Sequence, residues 1–125
     1  APQIEVAGDV GARGLSPNQF EVELRITANA SFEEEKAFVV EVQYAGVFTL
    51  HNVAQDQLKP VCLIECPRLL FPFARRVVAD ATRDGGFPPL LLEPIDFVQL
   101  FQQSMEQAGE QAASGNNGGN GNADA

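Results

Sequence analysis

Hydrophobic and polar positions alternate with a period of two through the first half of the chain and with a period near 3.6 through the second, the mark of strands followed by helices. From Phe20 to Ala30, Phe20, Val22, Leu24, Ile26 and Ala28 share one face, while Glu21, Glu23, Arg25, Thr27 and Asn29 share the other. That pattern predicts a strand with one side in the core and one in water. Ala37 to Tyr44 repeats it, with Phe38, Val40, Val42 and Tyr44 opposite Ala37, Val39, Glu41 and Gln43. The two strands should pair antiparallel across the charged loop Glu33-Glu34-Glu35-Lys36. Ala45-Gly46 predicts a turn into a further strand, Val47-Phe48-Thr49-Leu50. Ile4-Glu5-Val6-Ala7 opens the series more weakly, before Gly8, Gly11 and Gly14. Four strands in chain order predict an antiparallel meander, apolar on one side.

After Cys66 the spacing changes. Leu70, Phe73, Ala74, Val77, Val78 and Ala81 fall on one helical stripe, with Arg68, Arg75, Arg76, Asp80, Arg83 and Asp84 on the other, and Gly85-Gly86 ends the run. Pro72 suits a first helical turn, so the helix is expected to start near it rather than at Pro67. A second amphipathic helix is expected from Pro94 to Ala108, with Phe97, Val98, Phe101, Met105 and Ala108 along one side. Between the helices, Gly86-Phe87-Pro88-Pro89-Leu90-Leu91-Leu92-Glu93-Pro94 is mostly apolar, but its prolines prevent regular structure. Such a loop needs either a cover or a binding partner. The helices can cover the apolar side of the sheet within one chain or across a subunit boundary.

Residues 109–125 are Gly, Asn, Ala and other small or polar residues that bury too little apolar surface to offset their ordering entropy. They are expected to form a disordered tail after a single folded domain over residues 1–108. The whole chain has 125 residues, 45% of them hydrophobic, and a formal net charge of -9. An excess of acids repels phosphate backbones and acidic lipid, which argues against nucleic-acid binding and for basic partners. No apolar run reaches the roughly 20 residues of a bilayer span, and the start lacks the pattern of a signal peptide, so no membrane insertion is expected. The chain lacks an initiator Met and opens inside an apparent strand, as a piece of a longer product would.

The residues that carry chemistry are sparse. Cys62 and Cys66 are separated by three residues, unlike redox or zinc-knuckle motifs, and read as structural thiols in a reducing compartment. His51 would bring a metal set to three ligands, with no evident fourth, so no metal site is expected. As the sole His, at a strand end, it reads as a surface residue rather than a catalyst. Glu33, Glu34 and Glu35 are adjacent and read as a solvated turn. No phosphate- or dinucleotide-binding fingerprint occurs. The expectation is a protein with no catalytic residues and no cofactor. Nine of its aromatic residues are Phe, one is Tyr and none is Trp, so its aromatic surface has few polar handles for orienting a small ligand. Phe48, Phe71, Phe73 and Phe87 lie near the loops flanking the first helix and could line an apolar groove.

The string Cys66-Pro67-Arg68-Leu69-Leu70-Phe71-Pro72-Phe73-Ala74-Arg75 resembles the SecB family of bacterial protein-export chaperones. Phe38 to Phe48 is similar to that family's last two strands and turn. Gly86-Phe87-Pro88-Pro89-Leu90, with Leu92, Pro94, Asp96 and Phe97, is similar to its crossover loop and final helix. The resemblance spans about residues 18–108.

It implies an α+β fold: a four-stranded antiparallel sheet followed by a long and a short helix, assembled as a homotetramer, a dimer of dimers. It implies a cytoplasmic chaperone that holds unfolded precursor proteins without ATP and passes them to the SecA motor of the export pathway. By position, the client-binding groove maps to Phe48, Phe71, Phe73, Phe87, Leu90 and Leu92. The SecA-binding surface maps to Val39 and Glu41, whose outward parity agrees. Family members usually carry a further N-terminal segment that contributes to the motor-docking surface, so in this chain client holding is expected to outlast motor binding. The alternatives are a relative that holds a non-export client, such as a toxin or antitoxin, and a small-ligand carrier.

Overall fold

The computed structural model describes residues 3–107. Three strands form one antiparallel sheet in chain order: β1 (Gln3–Ser16), β2 (Gln19–Phe32) and β3 (Glu35–Thr49). The predicted tail and Ala108 lie outside the described residues.

Direct cross-strand pairs share a face, so the alternation of β2 fixes its neighbours. Leu24 faces Val10 on β1 and Tyr44 on β3, and Ile26 faces Gly8 and Val42. Val22, Leu24, Ile26, Ala28 and Ala30 are all at most 1% exposed. Each larger one contributes roughly 1.5–3 kcal/mol by leaving water, which makes β2 the spine of the core. On the opposite face, Arg13 meets Glu21 at 2.7 Å and Arg25 meets Asp9 at 2.8 Å, and both are directly paired across β1 and β2. Exposed pairs of this kind add about 0–1 kcal/mol each but agree with the register set by the apolar side.

Among the described residues there are three strands where the sequence suggests four. The predicted third and fourth strands are one continuous strand, β3, and Ala45-Gly46 is not a turn. Gly46 lies opposite Val22 on the inner face, where a Cβ would meet the Leu70 side chain at 3.0 Å and Phe48 at 3.3 Å. The glycine makes room for the helix above rather than for a reversal of the chain. β1 likewise runs through Gly8, Gly11 and Gly14 to Ser16.

The helical run begins earlier than the sequence suggests. A 3-10 turn (Gln55–Gln57), one α turn (Leu58–Pro60) and a π segment (Val61–Glu65) lead into a long helix, Cys66–Asp84. Pro67 has no N–H for the carbonyl of Leu63, and the wider π spacing, with the Cys66 N–H bonded to the Val61 carbonyl, accommodates that loss. Pro72 sits inside the long helix rather than at its start. Pro72 and Arg68 are both exposed, so the carbonyl of Arg68 that Pro72 leaves unbonded can be hydrated. Leu70, Phe71, Ala74, Val78 and Thr82 are buried on the side facing the sheet.

The long helix ends in a Schellman motif: the Gly86 N–H bonds to the Arg83 carbonyl and the Phe87 N–H to the Thr82 carbonyl, each at 3.0 Å. Gly86 has φ +91°. A second compact unit begins at Asp96. Its helix, 97–107, starts three residues after the predicted Pro94, because the Asp96 carboxylate caps it by accepting the Gln99 N–H at 3.1 Å. Phe97 is buried, and Val98 and Met105 are exposed.

Left-handed backbone occurs at Gly86 and also at Glu33 and Glu34 (φ 50° and 69°), the two-residue turn between β2 and β3. Both turn residues at positive φ make a geometry that favours Asn-Gly over two glutamates. Glu34→Gly should therefore gain about 0.5–1 kcal/mol, while Gly86→Ala should lose roughly 1–2 kcal/mol, in urea unfolding. Gly85, at φ -81°, is the control and should tolerate Ala with little change.

Candidate functional site

A 19-residue helix is about 28 Å long. The strands beneath it, of 14 to 15 residues, approach about 50 Å. The apolar side of the sheet therefore extends beyond its cover. Ile4 and Val6 on β1 are 41% and 46% exposed, although both are on the inner face, opposite Ala30 and Ala28.

The apolar loop after Gly86 lies beside this margin. Phe87 packs on Phe38 with ring centroids 4.9 Å apart. Phe87, Pro88, Pro89 and Leu90 from the loop, with Ile4, Phe32 and Phe38 from the three strands, line an open apolar groove of about 430 Å³. A second groove of about 460 Å³ lies between Ile4 and Val6 and the loop residues Leu90, Leu91, Leu92 and Ile95. The two share Ile4 and Leu90. A third concavity of about 350 Å³ is formed by Val10, Phe20, Leu58, Cys62 and Leu63, with Arg13 and Lys59 at its margin.

Of the six groove residues expected from the sequence, Phe87, Leu90 and Leu92 come together along the loop. The other three line neither loop groove. Phe71 is buried on the underside of the long helix, and Phe48 is half-buried opposite Phe20. Phe73 is 55% exposed and stacks on Tyr44 at 6.1 Å. Ile4, Phe32 and Phe38 are groove residues that the sequence reading did not single out. The inward parity of Phe38, and an aromatic residue set against three glutamates at Phe32, were the available signals.

Leu69, Phe73 and Val77, spaced four apart, form a separate exposed stripe on the long helix. Val39 and Glu41 project from the far side of the sheet, opposite Asn29 and Thr27. By register Glu5, Asp9, Glu21, Glu23 and Glu41 lie on that face against Arg13 and Arg25, which makes it acidic.

Cys62 and Cys66 are free and buried. Burial pushes the Cys62 thiol up, and burial, reinforced by Cys62 and Glu65 nearby, pushes that of Cys66 up to about 11. Among the described residues no three His, Cys, Asp or Glu side chains are placed to hold a metal ion, and no helix is long and apolar enough to cross a membrane. The fold defines an α+β protein whose most distinctive surface is a pair of open apolar grooves beside an antiparallel sheet, with an acidic face on the sheet's other side.

Comparison with known proteins gives this class a family. The model of the preprotein translocase subunit SecB matches residues 1–108. The chain is 53% identical to the protein-export protein SecB of Xanthobacter autotrophicus over 87% of this chain and 70% of that one. It is 54% identical to the protein of the same name from Mesorhizobium japonicum over 91% of this chain and 67% of that one. A SecB-like chaperone of Mycobacterium tuberculosis, solved with a peptide from an antitoxin, shares the fold at TM-score 0.66 and 18% identity, covering 75% of this chain and 72% of that one. The chain belongs to the SecB family of protein-export chaperones.

The thiols give a test of the packing beneath the long helix. Because the Cys66 thiol ionises near 11 when folded and near 9 when unfolded, the unfolded state sheds its proton first as pH rises. Its contribution to stability should be complete below pH 9 and decline through about 11. Urea midpoints measured across that window should fall, and a Cys66→Ala variant should show a shallower decline.

Proposed function

We propose that the chain is a passive holdase for unfolded precursor proteins, which it keeps export-competent without ATP and passes to the SecA motor in the cytoplasm. The observation that carries this reading is the pair of apolar grooves sharing Ile4 and Leu90, open along the crossover loop. An unfolded chain offers apolar side chains at irregular spacing. Phe rings and Leu side chains without fixed polar partners accept many such sequences, and occupying adjacent grooves together adds affinity. Phe87 and Leu90, with Phe38, are the proposed client contacts, while Leu92, 3% exposed, anchors the loop from beneath. Phe48 and Phe71 support the sheet and helix beneath them.

The acidic sheet face around Val39 and Glu41 is the proposed motor-docking surface, lying on the side of the sheet away from the grooves. The exposed Leu69, Phe73 and Val77 stripe is the proposed contact between subunits in a dimer of dimers, since obligate oligomers bury such stripes. No nucleotide, metal or cofactor enters the mechanism. Binding lowers the concentration of free unfolded protein below the level at which it aggregates, and release follows when the motor competes for the same segments.

The antitoxin-holding alternative draws support from the peptide bound to the solved neighbour, which is 18% identical. The export reading draws on relatives above 50% identity.

In the deciding experiment a chemically reduced, alkylated protein is mixed with the chain without nucleotide and aggregation is followed by light scattering. The chain should suppress aggregation at stoichiometric ratio, and Leu90→Ser or Phe87→Ser should weaken binding about tenfold, in line with roughly 1–2 kcal/mol of lost apolar contact. Glu41→Lys should abolish binding to SecA while leaving suppression unchanged. Suppression by the serine variants equal to that of the parent chain would exclude the grooves as the holding site.

A further inference from the structure

We infer that Thr82 is a positioning residue for the client grooves, a latch that fixes the crossover loop to the end of the long helix. Thr82 is the one polar residue among the buried positions of the described chain, 2% exposed on the helix face that meets the sheet. Its hydroxyl donates to the carbonyls of Val78 (3.1 Å) and Ala79 (2.9 Å). Helical threonines commonly do this, and it satisfies the side chain without need of the loop. What is unusual is that the same oxygen also accepts the Leu90 N–H, at 2.9 Å, from eight residues further on. The Thr82 carbonyl also accepts the Phe87 N–H at 3.0 Å. One residue therefore anchors the loop at both Phe87 and Leu90.

Those two positions shape the grooves. Phe87 contacts Phe38 in one, and Leu90 lines both. Between them Pro88 and Pro89 have no N–H to offer, so the Leu90 amide is the next point after Phe87 at which the loop backbone can be tied by donating a hydrogen bond. Valine at 82 would fill the same volume but leave that partly buried N–H without its acceptor, favouring loop conformations that hydrate it. The grooves would keep their residues and lose their fixed spacing.

This inference rests on the grooves being the client site, so its test has two arms. In the first, amide exchange by NMR should find the Leu90 N–H protected in the parent chain and in Thr82→Ser. In Thr82→Val it should exchange about tenfold faster, with amides of residues 70–78 unchanged. In the second, release of a reduced, alkylated unfolded protein should be about five- to tenfold faster from Thr82→Val than from Thr82→Ser. An unprotected Leu90 amide in the parent chain overturns the latch. Faster exchange with unchanged release overturns its positioning role. A parent chain that holds no unfolded protein overturns the groove reading, and the Leu90 amide then decides the latch by itself.

Discussion

One helix cannot cover the apolar side of three long strands. β2 is sealed, with every inward residue from Val22 to Ala30 buried, but inward residues of β1 stay in water at Ile4 and Val6. In an isolated domain such a margin is a liability for aggregation. Here it adjoins a proline-rich apolar loop that cannot pair as a strand, and the two together form grooves instead of a closed core. The proposed holding surface is the part of the sheet that the fold leaves uncovered.

The rest of the molecule keeps that margin open and in place. Gly46 lets the long helix sit close to β3 through Leu70, so the buried part of the sheet is packed where the helix lies. The Schellman motif and Thr82 turn the chain back from the helix end and set Phe87 against Phe38. On the far side of the sheet, ion pairs and unpaired carboxylates keep the surface hydrated, so the apolar and acidic faces remain separate within one sheet only three strands wide. Under the proposed function, that separation lets a client and the motor be engaged from opposite sides.

Much of this was legible in the sequence because local periodicity carries it. The faces of β2 and β3 follow from alternation alone, and the outward position of Val39 and Glu41 follows with them. Errors arose where a residue's local habit and its tertiary task differ. Glycine at 46 suggests a turn but serves helix packing, and Pro72 suggests a helix start but is tolerated inside one because its neighbourhood is exposed. The grooves are built from residues such as Ile4, Phe38 and Phe87, which are far apart in the chain, so nearness along the sequence drew in Phe48, Phe71 and Phe73 and missed Ile4, Phe32 and Phe38. Thr82 gave a sequence signal of its own, a polar residue on an apolar stripe, but its partner at Leu90 could only be found in three dimensions.

The most direct measurement is site-specific photocrosslinking to an unfolded protein. A photoreactive phenylalanine analogue placed at Phe87, beside the grooves, should crosslink the bound chain efficiently. The same analogue at Val47, 58% exposed on the opposite face, should not. Equal crosslinking from both positions, or crosslinking from Val47 alone, would contradict the account that the uncovered inner margin of the sheet is the holding surface.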